Sequence, residues 1–262
     1  MKRLKIYFKV WWLMSKNSFM GMVAQRFGAV TLLIGKLIRF GIFLLFILYL
    51  LKGVNTLAGY NVNQIAFFFL TFNVIDTASQ FLFREVYRFR PLVVSGSFDL
   101  VLVKPISALF RSLMGGADIL DLIILPPLLI GIFLVARSLN PTAIEVFYYL
   151  ILLANGLLIA AAFHIAVLSL AVITLEIDHT IMIYRDTFNL GRFPIDIYKE
   201  PLKSVLTFFI PIGIMISLPA KALIGLVSVR GVFGAVALGV MLLFLSIKFW
   251  NFALKRYTSA SS

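Results

Sequence analysis

Residues 146–174 read VFYYLILLANGLLIAAAFHIAVLSLAVIT, an apolar run of 29 residues. His164 is the only side chain in this run that can become charged near neutral pH. A helix needs about 20 mostly apolar residues to cross the roughly 30 Å hydrocarbon core of a bilayer. The run is therefore long enough to span a membrane.

The same composition recurs along the chain. Comparable apolar stretches occur at 28–51, 64–83, 113–136, 205–227 and 232–250. Pro211 and Pro219 interrupt one of them, which predicts a helix to about Leu218 and then a short re-entrant piece from Pro219 to Leu226. Only 13% of all residues are charged, against about 25% in soluble domains. The sequence predicts an all-α polytopic membrane protein, a single domain over 1–262 with six transmembrane helices and a broken fifth helix.

The first twenty residues have a different pattern. At about 100° per residue, basic side chains occupy one side of a helix and apolar or aromatic side chains the other. The basic side holds Lys2, Lys5, Lys9 and Lys16, and the opposite side holds Leu4, Tyr7, Phe8 and Trp11. Residues 1–20 are therefore predicted to form an amphipathic helix that lies in the membrane interface.

The distribution of Lys and Arg predicts the orientation. Eighteen fall in segments on the side of the N-terminus and four on the opposite side. The positive-inside rule then places both termini in the cytoplasm, with two long cytoplasmic loops at 84–112 and 175–204. A multi-pass protein in the plasma (inner) membrane of a prokaryote is expected. The net charge of +13 fits basic loops facing anionic lipid and does not require nucleic acid as a partner.

Ionisable residues inside the predicted spans are candidate polar sites, because charges at that depth are costly. They are Lys36, Arg39, Asp76 and His164. Lys36 and Arg39 are three residues apart and share a helix face. At least one is expected either to pair with Asp76, Asp118 or Asp121 or to face a water-filled vestibule. Otherwise both reach the headgroups, if the helix enters the membrane only near Leu37. Of the two, Lys36 is expected at the headgroups and Arg39 in a vestibule or ion pair. For His164, a hydrogen bond to a neighbouring helix is the commoner arrangement.

Chemistry-bearing motifs are scarce. The chain has no cysteine, only two histidines, and no G-x-x-x-x-G-K-[ST], G-x-S-x-G or H-E-x-x-H. We therefore predict no catalytic residue, no metal site and no cofactor bound by this chain. One acidic patch, Glu176, Asp178, His179 and Asp186, leaves open a membrane-embedded lipid-modifying enzyme. A membrane scaffold without a transport pathway is the other alternative.

The segment 88–107, RFRPLVVSGSFDLVLVKPIS, contains a basic helix end, a turn at Gly96 and an apolar stretch. In a cytoplasmic loop, Phe98, Leu100, Leu102 and Val103 would be exposed and would need a partner or the membrane surface to cover them.

This segment and the later RFPIDIYKEPLKSVLTFFIPIGIMISLPAKALIG, residues 192–225, resemble the ABC-2 family of transporter permeases. The resemblance is to its compact six-helix branch, in which a G-x-[FL]-[DE]-x-x-L-x-[KR]-P loop precedes P-[IL]-x-I-Y and a later P-A. It extends over essentially the whole chain.

The resemblance implies a permease that exports an amphiphilic or hydrophobic substrate. It implies a second permease subunit, as a homo- or heterodimer, and a separate ATPase subunit that binds ATP and Mg. The first loop would couple to that ATPase through Arg90, Gly96, Phe98, Asp99, Lys104 and Pro105. A second family motif falls on Pro194, Ile197 and Tyr198, without an assigned role.

Overall fold

The computed structural model describes residues 2–53, 56–174 and 178–258, which form helices and no β-strand. In chain order the α-helices are α1 (Lys2–Ala24), α2 (Arg26–Gly53), α3 (Val62–Phe83), α4 (Phe89–Val94), α5 (Phe98–Leu102), α6 (Ala108–Leu113), α7 (Ile119–Ser138), α8 (Ala143–Thr174), α9 (Asp178–Asn189), α10 (Leu202–Ser204), α11 (Leu218–Leu223) and α12 (Val229–Lys255). Short 3₁₀ turns occupy Arg84–Arg88, Leu190–Arg192 and Ile195–Ile197, and π-helical turns occupy Val205–Phe209 and Gly213–Ser217.

Five of these helices, α2, α3, α7, α8 and α12, are long and apolar enough to cross a membrane. A bent pair, Leu202–Phe209 and Gly213–Leu223, would add a sixth span if it were counted as one. The predicted all-α, polytopic membrane fold is confirmed.

Polar residues immediately before the spans fix where the helices begin. Asn61 and Gln64 form a reciprocal capping box at the start of α3. Asp118 accepts a hydrogen bond from the Leu120 amide at the start of α7, and Ser228 caps α12 in the same way. The unpaired amides of these first turns are thus satisfied by short side chains that the sequence places next to the apolar runs.

We call the end of the bundle that holds residues 84–118 the base, and the end that holds links 56–61 and 139–142 the crown. Helix α1 lies against the base: Ser15 Oγ accepts a hydrogen bond from the Ala117 amide at 3.2 Å, and Tyr7 packs edge-on against Phe110. Helices α3 and α8 bury most of their apolar surface inside the bundle. Helix α2 is much less buried: within Arg26–Ile47, only 6% of its apolar window is buried.

The path of residues 178–197 differs from the sequence prediction. Tyr184 packs against His164 near the base, Phe188 packs against Phe72 in the middle of α3, and Asp196 accepts a hydrogen bond from Tyr60 at the crown. Along the chain, these contacts therefore follow one another from the base to the crown. At about 1.5–2 Å per residue, a segment of this length extends over about 30–40 Å, which is enough for one crossing.

The prediction that 175–204 forms one loop on the side of the termini is therefore wrong for its described part, 178–204. Residues 175–177 lie outside the described residues.

The broken helix starts and ends at the crown. Lys203, before the break, and Lys221, after it, both reach the carboxylate of Asp196, at 3.0 and 2.6 Å. The two halves meet at 76° around Pro211. Pro219 does not break the segment: it lies within the continuous helical half Gly213–Leu223, directly after the π-helical turn Gly213–Ser217. Glycine permits the close packing of this segment on α8: a Cβ at Gly156 would lie 2.5 Å from the Met215 carbonyl oxygen.

Candidate functional site

A charged cavity lies between α2, α3, α7 and α9, in the half of the bundle nearer the base. It has a volume of about 110 Å³. Its polar lining combines four cations, two carboxylates and two amides: Lys36, Arg39, Arg185, Arg192, Asp76, Asp121, Asn73 and Gln80. Aromatic and aliphatic side chains complete the wall, including Phe43 and Phe69. Three of the four predicted intramembrane polar residues meet here, and His164 does not.

Lys36 has an acidic partner. Its Nζ lies 2.5 Å from Oδ1 of Asp121, a residue in the first turn of α7. The expected pairing of at least one of the two α2 cations is confirmed. The ion pair is formed by Lys36, whereas Arg39, for which a vestibule or an ion pair was expected, lines the cavity.

Asp76 belongs to a polar chain that runs from the cavity toward the base. Its Oδ1 accepts a hydrogen bond from Gln80 Nε2 at 2.9 Å, and Gln80 Oε1 accepts one from Arg84 at 3.4 Å. Arg84 Nε in turn lies 3.3 Å from Asp118 Oδ2. The i, i+4 spacing of Asp76, Gln80 and Arg84 brings their side chains together on one face of the span that begins with α3.

The remaining cations are less well compensated. In the described part of the chain, Arg39, Arg185 and Arg192 have no carboxylate oxygen within 4 Å. Arg192 donates a hydrogen bond to Asn189 and lies over the rings of Phe43 and Phe72. All three guanidinium groups act electrostatically on Asp76. With four cations and two carboxylates, the described lining has a formal charge of +2.

His164 lies in a separate aromatic cluster. It is fully buried, and its Nδ1 is 2.8 Å from the Ala160 carbonyl oxygen. Because a carbonyl can only accept, Nδ1 carries the proton and Nε2 faces the Tyr87 hydroxyl at 3.4 Å. Both ring nitrogens thus have partners, which is the arrangement of a packed core histidine.

The base loop is built around Phe98. This side chain is fully buried and packs edge-on against Phe89, Trp250 and Tyr257. Gly96 allows the turn that delivers it, with a φ of 71° that favours glycine. The expectation that Phe98 is exposed for a partner is therefore wrong, because α5 uses it to attach to α12.

Other residues of the same loop remain on the surface. Leu100 is 63% exposed and Val103 is 79% exposed, and Leu102 lies between them. Lys104 and Pro105 continue this exposed ridge, Arg90 is exposed nearby, and Asp99 is half-buried in the first turn of α5. We call Leu100, Leu102 and Val103 the base ridge.

The second motif lies at the crown. Pro194 precedes the 3₁₀ turn Ile195–Ile197, and the Tyr198 hydroxyl donates a hydrogen bond to the Leu190 carbonyl oxygen at 2.8 Å. The variable position between Pro194 and Ile197 is Asp196, whose carboxylate binds Lys203, Lys221 and Tyr60. Sequence reasoning missed this residue. Its one signal was an acid inside a motif otherwise made of apolar and aromatic residues.

The surroundings of Asp196 perturb its pKa. Burial alone would raise the pKa of the carboxyl, but hydrogen bonds from Lys221, Lys203 and Tyr60 outweigh it and lower the pKa to about 2. Burial and the adjacent carboxylate raise the pKa of the Tyr60 hydroxyl. Asp196 therefore stays ionised at any physiological pH and connects the start of α3 with both sides of the broken helix.

We expect Asp196→Asn to destabilise the protein by about 1.5–3 kcal/mol, because charge-assisted hydrogen bonds to two lysines are lost. A carboxyl whose pKa is lowered on folding stabilises the native state above its unfolded pKa of about 4, and that stability is lost only as the pH falls toward 2. The Tm difference between wild type and variant, measured in detergent, should therefore be constant from pH 5 to 8.

Asp186→Asn is the matched control, since Asp186 is exposed on α9 and has no ion pair with another described residue. Equal Tm values for Asp196→Asn and Asp186→Asn would contradict the role of Asp196 at the crown.

The acidic patch proposed for an enzyme is only partly visible. Glu176 lies outside the described residues, while His179 and Asp186 are exposed on α9. Within the described ranges, no group of three His, Cys, Asp or Glu side chains could hold a metal ion.

Comparison with known families gives one match. The model of the ABC-2 family transporter protein matches residues 37–261, which include the base ridge, the crown motif and every lining residue of the cavity except Lys36. No curated protein and no solved structure matches the chain. The family is the membrane component of ATP-binding cassette transporters and implies association with an ATP-binding cassette ATPase. With more than three quarters of its length matched, this multi-pass membrane chain belongs to the ABC-2 family of transporter proteins.

Proposed function

We propose that the chain exports an amphiphilic substrate and is driven by a separate ATPase subunit that docks on the base ridge. ATP and Mg bind in that partner. The observation that carries the proposal is the ridge itself. Leu100, Leu102 and Val103 form an exposed apolar surface next to Phe98 and Val101, which are buried. Such a surface on an extramembrane loop is typical of a protein interface.

The packing behind the ridge supports a coupling role. Phe98 lies between the ridge and α12 and contacts Trp250 and Tyr257 with ring centroids 6.4 and 5.2 Å apart. Near the crown, Asn155 Nδ2 of α8 donates a hydrogen bond to the Ala235 carbonyl oxygen of α12 at 3.0 Å. A displacement of α5 would therefore move α12, and α12 is fastened to α8. Closely packed interiors transmit such displacements because they cannot compress.

A second permease subunit is part of the proposal. Helix α2 exposes several large apolar side chains, including Phe27, Leu32, Ile38 and Leu45, which lipid or a second copy would cover. We propose that two such subunits enclose the export pathway in the plasma membrane of a prokaryote, with the base and both termini in the cytoplasm. The basic residues of the base loop, including Arg88, Arg90 and Lys104, favour that orientation.

Val103→Asp tests the docking role. A charge in the centre of an apolar interface should weaken ATPase binding by about 2 kcal/mol or more, as for an interface hot spot. The Tm of the isolated permease should not change, because Val103 is 79% exposed. The measurements are co-purification of the ATPase and substrate-stimulated ATP hydrolysis in nanodiscs.

Leu226→Asp, at an exposed crown position, is the control and should leave ATPase binding intact. Full substrate-stimulated hydrolysis by the Val103→Asp complex would refute docking at the base ridge.

A further inference from the structure

An apolar groove on the surface of α2 lies beside the charged cavity. The groove is lined by Gly35, Ile38, Arg39, Ile42, Phe43 and Phe46. Arg39 and Phe43 also line the cavity, so the two spaces share a wall. The spacing of the groove residues follows one helical stripe, and that stripe lies on the exposed side of α2.

The two spaces differ sharply in chemistry. The cavity contains Arg39, Arg185 and Arg192, which have no carboxylate within 4 Å among the described residues, together with the already paired Lys36. The groove offers only apolar atoms apart from Arg39. A ligand that fits both must carry a charged group at one end and a hydrocarbon chain at the other.

The sign of the ligand charge follows from the lining. The described cavity residues have a formal charge of +2, in a part of the protein where uncompensated charge is costly. Guanidinium groups bind phosphate and carboxylate with paired, charge-assisted hydrogen bonds. The cavity volume of about 110 Å³ is several times the roughly 10–15 Å³ that one water molecule requires, so an oxyanion fits.

We infer that this cavity and groove form a binding site for an amphiphile with an anionic headgroup, phosphate or carboxylate, held by Arg39, Arg185 and Arg192 with its alkyl chain along α2. The inference rests on the proposed function, since it names the class of amphiphile that is moved. The binding itself can be measured on the permease without its ATPase, so failure of ATP-driven export and failure of this site are separate results.

The test is a thermal-stability titration of the purified permease in a neutral maltoside detergent with dodecyl phosphate, dodecylphosphocholine or inorganic phosphate. Dodecyl phosphate should raise Tm at the lowest concentration. Inorganic phosphate should need at least about tenfold more, because burial of even two methylene groups is worth that factor. Dodecylphosphocholine, whose headgroup is larger and zwitterionic, should give no comparable shift.

Variants locate the headgroup. Arg192→Gln and Arg39→Gln should each weaken the response to dodecyl phosphate about tenfold or more, as expected for loss of a charge-assisted hydrogen bond. Arg192→Lys keeps the charge and should retain part of the response. A retained response would show that the loss in Arg192→Gln comes from the missing charge and not from a general folding defect. Arg137→Gln is the control, because Arg137 also lies over an aromatic ring, Phe133, but at the crown end of α7.

A second pair of variants locates the chain. Gly35→Phe should fill the groove and weaken dodecyl phosphate binding while leaving the response to inorganic phosphate unchanged. Gly41→Phe is the control, since Gly41 has the same open surroundings but points away from the groove stripe.

The site is overturned if Arg192→Gln and Arg39→Gln respond as wild type does, or if dodecylphosphocholine is as effective as dodecyl phosphate. Equal potency of inorganic and dodecyl phosphate would overturn the amphiphile assignment. A change of oligomeric mass in Gly35→Phe, without any change in dodecyl phosphate binding, would instead assign the groove to a second copy of the chain.

Discussion

Phe98→Ala is expected to lower the free energy of unfolding by about 3–5 kcal/mol, the range for removing a buried aromatic ring from a packed core. Phe98 is fully buried, with ring contacts to Phe89 of α4 and to Trp250 and Tyr257 at the end of α12. Helix α5 has only five residues and cannot persist without tertiary contacts. Loss of the ring should therefore release the whole base ridge. Thermal unfolding in detergent measures the effect.

Leu100→Ala is the matched control, because it truncates an apolar side chain two residues away that is 63% exposed. It should change stability by no more than about 0.5 kcal/mol. A Phe98→Ala protein with wild-type Tm but defective ATPase coupling would contradict the buried, stabilising role of Phe98. It would indicate instead that Phe98 contacts the ATPase directly.

The misplacement of Phe98 shows what a single sequence cannot resolve. In the segment 96–105, Phe98 and the four consecutive residues 100–103 are apolar, and periodicity alone does not tell which of them face inward. The structure separates Phe98 and Val101, which are buried, from Leu100, Leu102 and Val103, which are exposed. That division depends on where the end of α12 lies, more than 140 residues later in the chain, and no local pattern encodes it.

The spans themselves were predictable, because long apolar runs admit few alternatives. Residues 178–197 were not, since Arg185, Asp186 and Arg192 make this segment too polar for an isolated span. In the structure both arginines line the charged cavity and lie over aromatic rings. A hydropathy criterion evaluates each helix as though lipid surrounded it, and so it assigns such a helix to a loop.

The charged cavity was predictable only in part, because sequence alone singles out charges that lie within apolar runs. Lys36, Arg39 and Asp76 stand out because charge is rare within apolar runs. Arg185 and Arg192 do not stand out, because they sit in a segment that already appeared polar. Asp196 was missed for the same reason, because it also lies in a polar segment. Its partners Lys203 and Lys221 come from the two sides of the broken helix. Pairings between distant segments have no local signal.

Lys36→Met is expected to cost about 3–5 kcal/mol, the range for leaving one member of a buried ion pair without its partner. Asp121 is only 3% exposed, and its Oδ2 has no hydrogen-bond partner among the described residues. Without Lys36, the carboxylate would therefore have neither an ion pair nor water to stabilise its charge. Asp121→Leu should cost much less, about 1 kcal/mol. Lys36 is 33% exposed, and a lysine can redirect its flexible side chain toward water.

The double variant Lys36→Met/Asp121→Leu should recover most of that stability, because replacing both charges with apolar groups removes the desolvation penalty along with the attraction. Unfolding free energies of the four proteins in one detergent complete the double-mutant cycle, and the coupling should exceed about 1 kcal/mol. Arg137→Met, which removes a cation at the end of the same α7, is the control and should be nearly neutral. If Lys36→Met proves as mild as Arg137→Met, or the two single effects simply add, then Lys36 and Asp121 do not depend on each other. The cation of α2 would then have to be stabilised by the headgroups.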